Sequence, residues 1–71
     1  MTLKESTLAA VQEMNRWANY IEVYNYMVQH DFFVGKSKTP DRSVASELYK
    51  YGEQGVIERR KISNLPEYKS K

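Results

Sequence analysis

With 71 residues and no cysteine, the chain has neither the size for a large core nor the disulfides and thiolate-bound zinc that hold many short chains together. It must therefore fold around one economical apolar core. One domain over residues 1–71 is expected, as a complete protein or as the N-terminal module of a longer one. Such a chain buries only about 60% of its extended surface, so a stability of a few kcal/mol, on the order of 5, is expected. The missing cysteines also exclude thiol redox chemistry and cysteine nucleophiles, and they fit an intracellular address: cytoplasmic or nucleoid-associated, or nuclear in a eukaryote. Apolar runs are short and Lys4, Glu5, Gln12 and Glu13 interrupt the first fifteen residues, so neither a membrane span nor a signal peptide is expected, and no membrane partner. Aromatic residues at 13% of the chain exclude a disordered tail.

Thr2 and Glu5 have the spacing of a capping box, and Leu3, Leu8, Val11 and Met14, with Ala10 beside them, predict a helix over about 3–15. Trp17, Ala18 and Asn19 break that pattern and leave room for a very short extended piece at Trp17 and Ala18. Asn19 and Glu22 repeat the capping-box spacing before a second helix ending near Asp31, with Tyr20, Val23, Tyr24, Met27 and His30 on its buried side. Phe32, Phe33 and Val34 close the core or extend briefly, and Gly35 to Lys38 form a polar connection. Thr39 then reads as an N-cap, Pro40 as the first helical residue and Asp41 as a first-turn acid, which starts a third helix. Val44, Leu48 and Tyr51 share its apolar face, with Ala45 and Tyr49 at the edges and Arg42, Ser43, Ser46, Glu47 and Lys50 elsewhere. Gly52 and Gly55 are expected to end it. Residues 56–62, a turn at Ser63 to Pro66, and Glu67 to Lys69 predict a hairpin with Ile57 and Tyr68 facing inward, its register left open. The fold class is thus α+β, three helices followed by a β-hairpin.

Charge is distributed unevenly along the chain. Residues 1–31 hold Lys4 and Arg16 against Glu5, Glu13, Glu22 and Asp31, whereas residues 32–71 hold nine bases and five acids. A polyanion would meet the second half, although a basic tail that only keeps a small protein soluble accounts equally for composition alone.

The run from Gly35 through Lys36, Ser37, Lys38, Thr39, Pro40, Asp41, Arg42 and Ser43 to Val44, leading into Leu48 and Tyr49, resembles the HARE-type winged helix-turn-helix family. That family is associated with restriction endonucleases and with chromatin and transcription proteins. The likeness spans most of residues 4–62 and is most distinctive in the loop and third helix. It implies a small winged helix-turn-helix fold, with the third helix as the recognition helix, Val44, Leu48 and Tyr49 on its packing side and the hairpin as the wing. It also implies recognition of DNA or the positioning of an attached catalytic domain. Glu47, where related sequences accept a neutral or basic residue, would subtract from phosphate affinity.

The residues themselves argue against chemistry in this chain. A lone histidine cannot build a multi-histidine metal site, and His30 and Asp31, adjacent on a helix, do not face one another; His30 reads as a helix-end residue packed under Phe32 or Phe33. Asp41, Glu47, Glu53, Glu58 and Glu67 form no recurrent metal-ligand spacing, and Gly35-Lys36-Ser37 lacks the preceding glycine and strand of a phosphate-binding loop. No enzyme activity, cofactor or metal is therefore expected. Most of the six tyrosines fall at core spacing, with Tyr26 and Tyr51 the open cases. Lys36, Lys38, Arg42, Ser43, Ser46 and Lys50 around the third helix, with Arg59, Arg60 and Lys61 in the wing, form the expected surface for double-stranded DNA. A monomer or weak homodimer is expected. The alternative is a winged helix that binds a protein partner without touching DNA.

Overall fold

The computed structural model describes residues 2–62 and 64–71; Ser63, assigned above to the hairpin turn, lies outside the described residues. Helix α1 runs from Leu3 to Met14, α2 from Tyr20 to Gln29 and α3 from Pro40 to Gln54, followed by strands β1, Ile57–Arg60, and β2, Glu67–Ser70. This is the topology of a winged helix-turn-helix.

Both expected capping boxes are present. The Glu5 amide donates to the Thr2 hydroxyl at 3.2 Å while Glu5 accepts from the Thr2 amide at 3.0 Å, and Asn19 and Glu22 repeat the exchange at 3.0 and 3.1 Å. Two orphan amides are satisfied at each helix start. The third start differs: Thr39 makes no side-chain cap bond. Its φ of −127° and ψ of 69° depart from the extended backbone of Thr2 and Asn19, so its hydroxyl does not reach the first-turn amides. Instead the Ser37 hydroxyl accepts from the Thr39 amide at 3.1 Å, and the Thr39 carbonyl accepts from the Ser43 amide and hydroxyl.

The ends of α2 and α3 follow one physical pattern. After α2, Asp31 takes a left-handed φ of 57°, its amide donates to Val28 and the Phe32 amide donates to the Met27 carbonyl at 2.7 Å. Gly55, at φ 76°, does the same after α3, with Val56 donating to Tyr51. These are the paired bonds of a Schellman ending. Gly52, expected as a helix stop, lies inside α3 where the hairpin packs on it: a Cβ there would be in van der Waals contact with Arg59 and Tyr68.

The core joins Ala10 and Val11 of α1, Ala18, Val23 and Met27 of α2 and its approach, Val44, Leu48 and Tyr51 of α3, and Ile57 and Tyr68 of the hairpin. The Tyr51 hydroxyl crosses from α3 to donate to the Lys4 carbonyl at 2.8 Å, which fixes its ring in the core. Burial raises the phenol above its ordinary pKa. Along α1 the buried side also includes Ser6 and Thr7, whose hydroxyls have no hydrogen-bond partner among the described residues. Leu8, by contrast, is half-buried at the edge. Helix α1 packs on both α2 and α3. His30 does not join the buried side of α2. It is exposed and stacks on Tyr26, ring centroids 4.1 Å apart, because the helix has ended at Gln29. Tyr26 in turn donates to Glu13 at 2.9 Å. Phe32 and Val34 pack against the core, while Phe33 is exposed.

The hairpin register pairs Ile57 with Ser70, Glu58 with Lys69, Arg59 with Tyr68 and Arg60 with Glu67. Strand alternation therefore puts Ile57, Arg59, Tyr68 and Ser70 on the inner face, as expected for Ile57 and Tyr68. The extended piece at Trp17 and Ala18 forms as well. Ala18 bridges Tyr68 through two backbone bonds of 3.0 and 2.8 Å, so β2 is flanked on both sides. This bridge anchors to the helices a hairpin that would be marginal alone.

Candidate nucleic-acid interface

Burial of Val44, Leu48 and Tyr51 sets the phase of α3 and leaves Arg42, Ser46, Tyr49, Lys50 and Glu53 exposed on its outer side. Lys36 and Lys38 are exposed in the loop leading into the N-terminal end of this helix. Ser43 is half-buried, and its hydroxyl donates to the Thr39 carbonyl at 3.3 Å, so its donor is already engaged within the helix. Lys50 lies 3.9 Å from Glu47, a loose surface pair one turn away. Glu47 itself is turned toward the Tyr51 side, where its charge helps raise the Tyr51 pKa.

At the other end of α3 the wing places its cations in two directions. Arg59 lies over the Tyr49 ring, its guanidinium carbon 5.4 Å from the centroid. Arg60 points to the opposite face, where it bonds Glu67 at 2.9 Å and lies 4.2 Å from the centre of the Trp17 ring. Lys61 is exposed beyond the end of β1. Tyr49, Arg59, Arg60, Lys61 and Pro66 together line an open groove between α3 and the wing.

Tyr49 is thus a correction to the packing role the resemblance implied. It is 51% exposed, because its position falls opposite Val44 and Leu48 once the buried face is set. Hydrogen bonding to Glu53 raises its pKa, and Arg59 partly opposes the shift. The phenol consequently stays protonated at neutral pH. Glu53, rather than Glu47, is the acid on the outer side of α3.

The expected surface is therefore two clusters. Lys36, Lys38 and Arg42 lie at the start of α3, and Arg59, Arg60 and Lys61 lie by its far half, with Ser46 and Lys50 between. From Arg42 to Tyr49 the helix advances about 10 Å at roughly 1.5 Å per residue. Tyr49, Glu53, Pro66 and Trp17 are the members that residue-type reasoning missed. Tyr49 and Glu53 were detectable from helical phase; Trp17 and Pro66 join only through the sheet. Among the described residues no group of three or more His, Cys, Asp or Glu side chains is placed to hold a metal, and no helix is long and apolar enough to cross a membrane. Comparison with protein-family models, curated proteins and solved structures finds no match for this chain.

Proposed function

We propose that this chain is a non-catalytic accessory module that binds double-stranded DNA and positions a restriction or transcription partner. The observation that carries this reading is the arrangement of exposed cations at both ends of a helix whose outer side is free. Lys36, Lys38 and Arg42 stand at one end and Arg59 and Lys61 at the other. Cations at the two ends of α3 can meet backbone phosphates while the helix enters the major groove between them. Ser46 is then the side chain best placed to reach base edges, and Ser43 is not. Contacts dominated by phosphates make affinity fall steeply with salt.

The test is residue-resolved NMR during titration with a short duplex at low and moderate salt. Saturable shifts over residues 36–50 and 58–62, weakened by salt, are expected, and replacing Lys38 and Arg42 together should weaken unrelated duplexes by similar factors. A second reading, protein binding without DNA, draws on Ile21 and Val28, 44% and 49% exposed on one side of α2. Absence of duplex binding at low salt would overturn the DNA reading, and shifts centred on α2 with an added partner would favour the second.

A further inference from the structure

We propose that the groove between α3 and the wing seats one unpaired nucleotide at the end of a duplex, an inference that rests on the duplex-binding reading above. Phosphate contact alone needs cations on a convex surface; it does not need a flat ring in a concavity. Here Tyr49 and Pro66 give the groove apolar walls, and Arg59 and Lys61 give it positive charge. Regular duplex presents base edges to its grooves and keeps base faces stacked, whereas an unpaired nucleotide offers a free face to aromatic rings and guanidinium planes.

The flat surface is already organised. Arg59 lies 5.4 Å from the centre of the Tyr49 ring. Gly52 lies beside this pair: a Cβ there would be in van der Waals contact with Arg59. Arg60 is held by Glu67 and Trp17. Lys61, exposed at the groove, is the cation best placed to meet the phosphate of the seated nucleotide.

The experiment is fluorescence anisotropy of the full chain with duplexes of identical paired sequence, either blunt or carrying a short unpaired overhang, at fixed salt. The overhang should bind at least about fivefold tighter, the lower end of what stacking one base contributes. Tyr49→Ala should bring the overhang-to-blunt ratio close to one, and Tyr49→Phe should preserve it; thermal unfolding checks that each variant is folded. Lys61→Gln, at an exposed position, should lower the ratio independently. Equal affinity of the native chain for blunt and overhanging duplex would overturn the inference and leave the duplex reading standing. A preference that survived Tyr49→Ala would overturn it as well. Failure to bind blunt duplex, with binding to the overhang retained and dependent on Tyr49, would support the seat and sink the duplex reading.

Discussion

Helices α1 and α2 begin with reciprocal side-chain caps, whereas α3, whose Thr39-Pro40-Asp41 start has the more elaborate local signature, begins without one. The contrast extends to the rest of each region. In the first half, polar side chains are spent on the protein itself: Glu5 and Glu22 in caps, Glu13 on Tyr26 and Arg16 on Glu22. Around α3, Lys36, Lys38, Arg42 and Ser46 stay exposed, and the helix is held by its buried side rather than by a side-chain cap. Local sequence signals report what a segment can do for itself, and they miss a helix end whose backbone direction is set by the loop that delivers it.

The largest test of that contrast is Leu48→Ala. If lateral packing holds α3, removing this fully buried side chain should cost about 2–5 kcal/mol in chemical denaturation, enough to unfold much of so small a domain. An unchanged transition would mean that α3 depends on something other than its core face.

Thr7→Val addresses the opposite side of the comparison, where α1 buries polar groups. Because the Thr7 hydroxyl is buried without a hydrogen-bond partner among the described residues, replacing it by a methyl should raise stability by about 1–3 kcal/mol. A loss of stability would reveal a hydrogen bond that the hydroxyl makes in solution.

Caps can be compared directly. Asn19→Ala should cost about 1 kcal/mol, with roughly 0.5–2 kcal/mol as the usual span for a working cap. Thr39→Ala should stay within about 0.5 kcal/mol, as for an uninvolved surface position. Equal losses in thermal or urea denaturation would erase the distinction between the helix starts.

The smallest effect concerns pH. Hydrogen bonds from the Thr2 amide and hydroxyl hold the Glu5 carboxyl below its ordinary pKa. Its folded pKa is therefore lower than its unfolded one, so its contribution is fully present above the unfolded value and is lost as pH falls through the folded value. Denaturation of Glu5→Gln should show a shallower decline than the native chain in the acid range just below ordinary glutamate titration. Parallel pH profiles would remove the α1 box as a source of acid sensitivity.

Much of the molecule was legible in the order of its residues because helices and strands carry their own periodicity. The Thr2/Glu5 and Asn19/Glu22 spacings located two helix starts, Val44, Leu48 and Tyr51 marked the buried side of α3, and Ile57 and Tyr68 marked the inner face of the wing. The basic residues of the candidate surface were equally visible as types, but not their company. The hairpin register, which turns Arg59 toward Tyr49 and Arg60 toward Trp17 and Glu67, depends on backbone pairing and on the Ala18 bridge to Tyr68. Likewise, Gly52 looks like a helix stop until the wing packs against it, and Thr39 looks like a cap until the loop fixes its backbone angles. Sequence alone determined the elements and their apolar faces, since these follow from residue spacing and local hydrogen bonding. Tertiary structure decided the groove, because its walls come from α3 and the wing, and strand register sets which side chains meet there.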